Sequence, residues 1–475
     1  MFGHKYTLVA LAASLLLAPL VAQAQEAGAL LDLLVRKGIV SDQEAEEIRT
    51  ELTKEFATTP AGKMKLSTPI TELELYGDGR VRYEIRNGNS GAPSTLVANP
   101  NDAQQRNRHR YRLRLGLRGT LVDDWFFGLR IETSASARST NVTFGDDAGP
   151  FGKTSDAAYV GQLYLGYRGI PGLTLTAGRL PNPFVTTSMV WDGDINPEGL
   201  SQQYKRTFAI QRGGDAGPMN IDLFANFGQF VYDDQNPENP IGAPAVSGGR
   251  RVPENDAYLF GYQLGARFNF TKTVYFQLAP TVYHYSGYGN DFNTFYSGDP
   301  SFRNTATPPA VVARNQTGIN SLLIFNMPAE FGFTVRETIP VRIFSDFAVN
   351  LDAEDRARAA GRPGEDDERY AYMVGVSVGR IRAKKDWQLQ AWWQHAEQFS
   401  LDPNLVDSDI FDSRLNIKGF AVQAGYALSD AVTFNLTYAY GEQINNRLGT
   451  GGIGDIGVNP VREYQLFQAD LNFKF

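Results

Sequence analysis

The chain contains no cysteine, which excludes disulfides and thiolate metal sites. Histidine is nearly as scarce, four in 475 residues, and only His109, His284 and His395 lie beyond the N-terminal segment. No nucleophile motif surrounds them, so the sequence offers no hydrolase site, and no enzyme activity is expected. There is no excess of basic residues: the formal charge is −7, and with it goes any global signal for nucleic acid. Beyond residue 24 no apolar run approaches the roughly 20 residues of a transmembrane helix. Strands that alternate between lipid and water escape that test.

Glycine is abundant at 47 residues, and aromatics make up 12%. That mixture suits a β-rich chain with many turns. The N-terminus has its own character. His4 and Lys5 form a short polar region, Leu8 to Leu20 an apolar one, and Ala22-Gln23-Ala24 a small-residue cleavage site. Residues 1–24 are therefore expected to be a signal peptide, with a mature chain starting at Gln25. A membrane anchor is the competing reading, which the short apolar run disfavours. Residues 25–57 read as a periplasmic helical segment. Leu30, Leu31, Leu33, Leu34 and Val35 form a first apolar helix, and Ser41 to Glu44 form a capping box that opens a second. Residues 58–69 read as a linker.

From Ile70 the period becomes two. Leu73, Leu75, Val81, Tyr83 and Ile85 alternate with Glu72, Glu74, Asp78, Arg80, Arg82, Glu84 and Arg86. Tyr111, Leu113, Leu115 and Leu117 alternate with Arg108, Arg110, Arg112, Arg114 and Arg118. Such strands carry one greasy and one charged face. Sixteen candidate strands follow this plan, those at 205–212 and 330–349 being the weakest. Tight turns, among them Val122-Asp123-Asp124, Gly213-Gly214-Asp215 and Met327-Pro328-Ala329, alternate with long polar loops. Outer-membrane barrels have short periplasmic turns and long extracellular loops. Sandwiches and propellers do not sort their connections this way. The expected fold is all-β: a transmembrane antiparallel barrel of about 16 strands over residues 70–475, with a short N-terminal helical segment. Trp125, Phe126, Phe127, Tyr167, Trp387, Trp392, Trp393, Tyr438 and Tyr440 suit interfacial girdles.

A barrel of that size encloses water, so function rests on what narrows it. The third long loop, 181–204, is the expected constriction. It is apolar for a loop and holds Asp192, Asp194 and Glu198. Asp192-x-Asp194-x-Asn196 opens like a calcium loop but lacks the required glycine and closing glutamate, so no metal or other cofactor is expected. Arg80, Arg82, Arg86, Arg108, Arg110, Arg112, Arg114 and Arg118 are expected to face that loop as a pore-lining selectivity wall. The last strand alternates from Phe467 to Phe473 and Phe475. This ending resembles the signal read by the outer-membrane barrel assembly machinery.

Gly178-Arg179, Asn182-Pro183-Phe184, Trp191-Asp192, Asp194 and Pro197-Glu198-Gly199, with the N-terminal leucine helix, resemble the bacterial putative porin family. The plan is also similar to that of general and phosphate-selective trimeric porins, although the many lumen acids argue against phosphate specificity. The resemblance implies a passive porin of the Gram-negative outer membrane, embedded in lipid as a homotrimer. The expected function is diffusion of ions and small hydrophilic solutes, weakly favouring anions. The alternative is a plugged, structural or adhesive barrel.

Overall fold

Alternation decides the architecture. A strand whose odd residues are apolar and even residues charged is stable only where one face meets lipid or core and the other meets water. The computed structural model describes residues 67–90, 103–136, 138–145, 157–211, 218–233, 257–286, 322–336, 338–359, 362–450, 455–456, 458 and 460–475. The expected signal peptide, helical segment, most of the linker and the Gly213-Gly214-Asp215 turn lie outside the described residues.

The strands are β1 (Ile70–Asn89), β2 (Ala103–Leu121), β3 (Trp125–Thr133), β4 (Val142–Thr143), β5 (Ala158–Ile170), β6 (Leu173–Arg179), β7 (Glu198–Ile210), β8 (Met219–Asp233), β9 (Ala257–Asn269) and β10 (Tyr275–Leu278). They continue as β11 (Thr281–Ser286), β12 (Leu323–Asn326), β13 (Ala329–Val335), β14 (Ile339–Asn350), β15 (Tyr370–Gly379), β16 (Trp387–Ala396), β17 (Ile417–Ala427), β18 (Val432–Gln443) and β19 (Glu463–Lys474). One short helix, α1 (Ala353–Ala359), lies between β14 and β15. The pairings are antiparallel between successive passes of the chain, and β1 pairs with β19 from Asp78↔Lys474 to Asn89↔Glu463, which closes the sheet.

Three of the sixteen passes are interrupted. β3 and β4 both pair with β2. β10 and β11 both pair with β9, and β12 and β13 both pair with β14. The last two breaks fall at Pro280 and Pro328, which lack the N–H that a ladder needs. The ladder resumes at once: Ala279 N–H donates to Pro328 O at 3.0 Å and Leu264 N–H to Pro280 O at 3.1 Å. Met327-Pro328-Ala329 is therefore not the turn expected. It lies within a strand, and the chain turns after Val335, where Arg336 has φ 50°. At Asp123 and Asp124, φ is 60° and 64°, as a two-residue hairpin turn matching strand twist requires.

The greasy register faces outward. Leu113, Leu163, Leu264, Val374, Leu389 and Leu471 are exposed, Leu264 to 69%. Aromatics gather at both ends of the wall, as in interfacial belts. Trp125 and Tyr167 pack 5.1 Å apart at the turn end. Tyr83 with His109, and Tyr372 with His395, stack at the loop end, 4.9 and 4.7 Å apart. Trp392 departs from the expected girdle: neighbouring residues point to opposite faces, and it is Trp393 that faces out while Trp392 is buried inside. The C-terminal Phe475 exchanges backbone bonds with Gly77 at 3.1 Å both ways, and Phe473 pairs with Gly79 on the outer face of the seam.

Candidate functional site

The inner face is where charge collects. The connection between β6 and β7, residues 180–197 (L3), does not stand out into water but turns inward. Its two roots are Gly178 and Gly199, paired across the strands with φ of 124° and 148°. A Cβ there would lie 2.2 Å from Leu163 O and 2.1 Å from Gln229 O. Only glycine turns the chain so sharply this close to a neighbouring backbone. Inside, Phe184, Met189, Val190 and Trp191 are buried against Phe230, Leu259, Tyr283 and Phe344 of the wall. Thr187 Oγ1 donates to Asp346 at 2.5 Å, and Val185 N–H donates to Gln263 Oε1 at 2.9 Å.

L3 ends earlier than expected. Glu198 is the first residue of β7, so it is not a constriction residue. It takes the register of exposed Leu200 and pairs with Arg179 at 3.2 Å on the outer rim. Asp192 and Asp194 do enter the lumen. Asp192 Oδ1 accepts the Asp194 N–H at 2.9 Å, and Asn196 donates to Asp194 O at 3.1 Å. The acidic triplet is thus occupied in closing its own turn.

A second connection, residues 397–416 (L7), shares the constriction, and the sequence reading missed it. Leu401, Leu405, Val406, Ile410 and Phe411 are buried in the same apolar cluster as L3. The two loops are sewn together: Asp192 N–H donates to Leu405 O at 2.6 Å, Asp407 N–H to Ser188 O at 3.1 Å, and Ser408 N–H to Asp192 Oδ2 at 3.0 Å. Residues 138–141, before β4, complete the narrowing. Arg138 donates to Pro403 O at 2.9 Å and Thr140 N–H to Asp194 at 3.3 Å. The signal that marks L7 is the one used for L3, acids interleaved with large apolar residues.

Seven of the eight arginines are inward and together, but they do not face L3 across an open gap. Arg82 bonds both oxygens of Asp470, at 2.7 and 2.9 Å, and Asp409 at 2.9 Å. Arg80 donates to Asn472 at 2.9 Å. Arg86 reaches Asp412 at 2.8 Å and Glu84 at 3.0 Å. Arg108 holds Glu84 and Asp455, and Arg110 holds Ser139 and the Asn141 carbonyl. Arg112 and Arg114 share Asp78, each at 2.7 Å, and Arg114 also reaches Asp194 at 3.3 Å. Arg118 sits apart at the turn end with Glu74. Arg106 and Arg414 join through Asp455 and Asp412, so the described network holds nine guanidiniums against seven carboxylates, an excess of two. Most acids come from the wall, L7 and residue 455; L3 supplies only Asp194.

The loop carboxyls divide. Burial pushes Asp192 up to about 7, with Asp194 adding to it and two backbone hydrogen bonds opposing. Burial also raises Asp407 well above the carboxylate range, beside Asp192 and Asp409. Desolvation would raise Asp409 too, but Arg82, Arg80 and Arg86 hold it well below. Likewise Arg86 and Arg108 overcome burial to hold Asp455 at about 2.

Space remains beside this plug. A cavity of about 450 Å³ is bordered by Arg80, Asp409, Ser188, Gln390 and Trp392. A second, of about 200 Å³, shares Ser188, Gln390 and Trp392 and adds Glu330 and Arg342. The lining common to both is Ser188 of L3 with Gln390 and Trp392 of β16.

No curated protein matches the sequence. Among solved structures the chain is similar to OprB of Pseudomonas putida, 12% identical with a TM-score of 0.46, covering 90% of this chain and 96% of that one. It is also similar to a mutant porin of Rhodopseudomonas blastica, 11% identical with a TM-score of 0.37, covering 85% of this chain and 100% of that one. The family described as putative porin matches residues 81–323, more than half of the chain, and this closed sixteen-pass barrel with an inward-folded third loop belongs to it.

Proposed function

We propose that the chain is an outer-membrane porin through which ions and small hydrophilic solutes diffuse, with a weak preference for anions. The outer-membrane location follows from the family and from a closed barrel with an apolar outer band. The observation that carries the channel reading is the pair of polar-lined cavities beside L3 and L7, which share Ser188, Gln390 and Trp392 in their linings. The anion preference rests on the excess of two guanidiniums in the lumen network, a small bias because seven of nine charges are offset. A signal peptide, lipid partners and recognition of the C-terminal strand by the assembly machinery belong to the same reading.

A homotrimer is also proposed. Gln202 and Gln229 take the outward register of β7 and β8, 3.5 Å apart, on a wall otherwise built of Leu, Phe and Tyr. Amides there retain hydrogen-bonding capacity that lipid tails leave unmet and a neighbouring copy satisfies. One observation favours the second reading, a plugged barrel: L3 and L7 form a continuous buried cluster across the lumen.

Planar-bilayer recording of the refolded protein under a salt gradient tests all of this. Discrete steps in threes and a small anion-signed reversal potential are expected. Silence from protein shown to be folded favours the plug.

A further inference from the structure

We infer, resting on the porin reading, that the lumen carries a binding subsite for an uncharged polyhydroxylated solute on the wall formed by β16 to β19. The register places Gln390, Gln423, Thr437 and Gln468 side by side, one per strand, about 4.8 Å apart as strand spacing dictates. Asn435 lies one inward position below Thr437, and Trp392 one inward position above Gln390. All six border the larger cavity.

What separates this wall from the rest of the lumen is unused hydrogen-bonding capacity. Gln423, Asn435 and Thr437 make no side-chain hydrogen bond among the described residues, yet border the cavity. The adjoining charged residues of β1 and β19 are already satisfied. Arg82 is fixed by both oxygens of Asp470 and by Asp409, and Arg80 by Asn472. An ion entering the cavity competes with those pairs. A neutral solute does not; it finds amides that donate and accept at once. Hydroxyl groups likewise donate and accept, so a solute with several of them meets several amides together. Trp392 adds a large apolar ring to the lining, where the C–H face of a compact sugar-like ring packs. Arg80 and Arg82 lie with Asp407, Asp409 and Asp470 in the same cavity, so both signs of charge are present and no ion meets a wall of one sign.

Block of the open-channel current is the test, in wild type and in Gln423→Ala, Asn435→Ala and the double variant. The probes are sucrose, a polyethylene glycol dimethyl ether of matched size, which accepts but cannot donate hydrogen bonds, and glutamate. Sucrose should block saturably and the ether only in proportion to concentration. Losing two hydrogen bonds of about 1 kcal/mol each should raise the half-blocking sucrose concentration roughly tenfold or more in the double variant. Each single variant, being a conservative change on a lumen face, gives a folded channel with a smaller shift in the same direction. Equal, unsaturable behaviour of sucrose and the ether overturns the subsite. Saturable block unchanged in all variants, or stronger block by glutamate, overturns its assignment to this wall. Absence of any current in folded wild type overturns the porin reading itself, a different result from current without block.

Discussion

Asp192 and Asp407 meet at the seam between L3 and L7, where burial pushes both carboxyls up, Asp192 to about 7. The neighbours that face them are Asp194, Asp409 and Arg138. A carboxyl whose pKa is raised by folding binds its proton more tightly in the folded state. Its contribution to the seam is therefore complete below the unfolded value near pH 3.9 and is lost as pH rises through about 7. Open-channel noise should thus grow between about pH 4 and pH 7 as the two loops loosen. Asp192→Asn keeps an oxygen for only one of the Asp194 and Ser408 N–H groups, turns its NH2 to the other and removes one titration, so its noise should start higher but depend less on pH across that window. Identical profiles for variant and wild type would rule the seam out as the source. Asp409, held low by three arginines, titrates outside this range and serves as a fixed charge.

At the scale of elements, L3 is held by apolar packing more than by charge. Trp191 is 3% exposed and packs against Phe184, Phe230 and Tyr283 at ring distances of 6.2 to 6.5 Å. Trp191→Ala should cost about 3–5 kcal/mol of packing. Because the barrel is closed by backbone ladders on every side, that loss falls on the docking of L3 and not on the wall. Folded variant should keep its heat-resistant migration on gels while its conductance rises and its noise increases; an unchanged conductance would remove L3 from the constriction. The strands themselves were largely legible, because lipid and water impose alternation on every residue that crosses. Errors fell where a local signal competes with the ladder. Pro328 reads as a turn but is a one-residue break, and Glu198 reads as loop because Pro197 and Gly199 flank it although β7 has begun. L7 was unread for a different reason: its burial depends on L3 being there to pack against, which no periodicity within residues 397–416 records.

For the whole molecule the decisive quantity is the balance of charge across the lumen, and that balance is assembled from distant parts of the chain. The arginine strands are evident in sequence; the carboxylates that answer them come from β19, L7 and residue 455, some 320 to 390 positions away. A wall of eight positive charges would have given strong anion selectivity, whereas the paired network leaves a small excess. Arg110, Arg112 and Arg114 make the clearest test. Replacing all three with Ser strips Asp78 of both its guanidiniums and Asp194 of its two. Removing one partner of a buried pair can cost about 3–5 kcal/mol, less here because Asp78 and Arg114 are partly exposed, so the barrel should still fold. The freed carboxylates then face the passage, and local rings of charge govern ion choice. The reversal potential should move from slightly anion-favouring to cation-favouring, and the shift should shrink in high salt as screening shortens its reach. A reversal potential that does not move would place the ion path elsewhere, leaving the β16 to β19 wall, which carries no arginine of this set, as the surface that solutes meet.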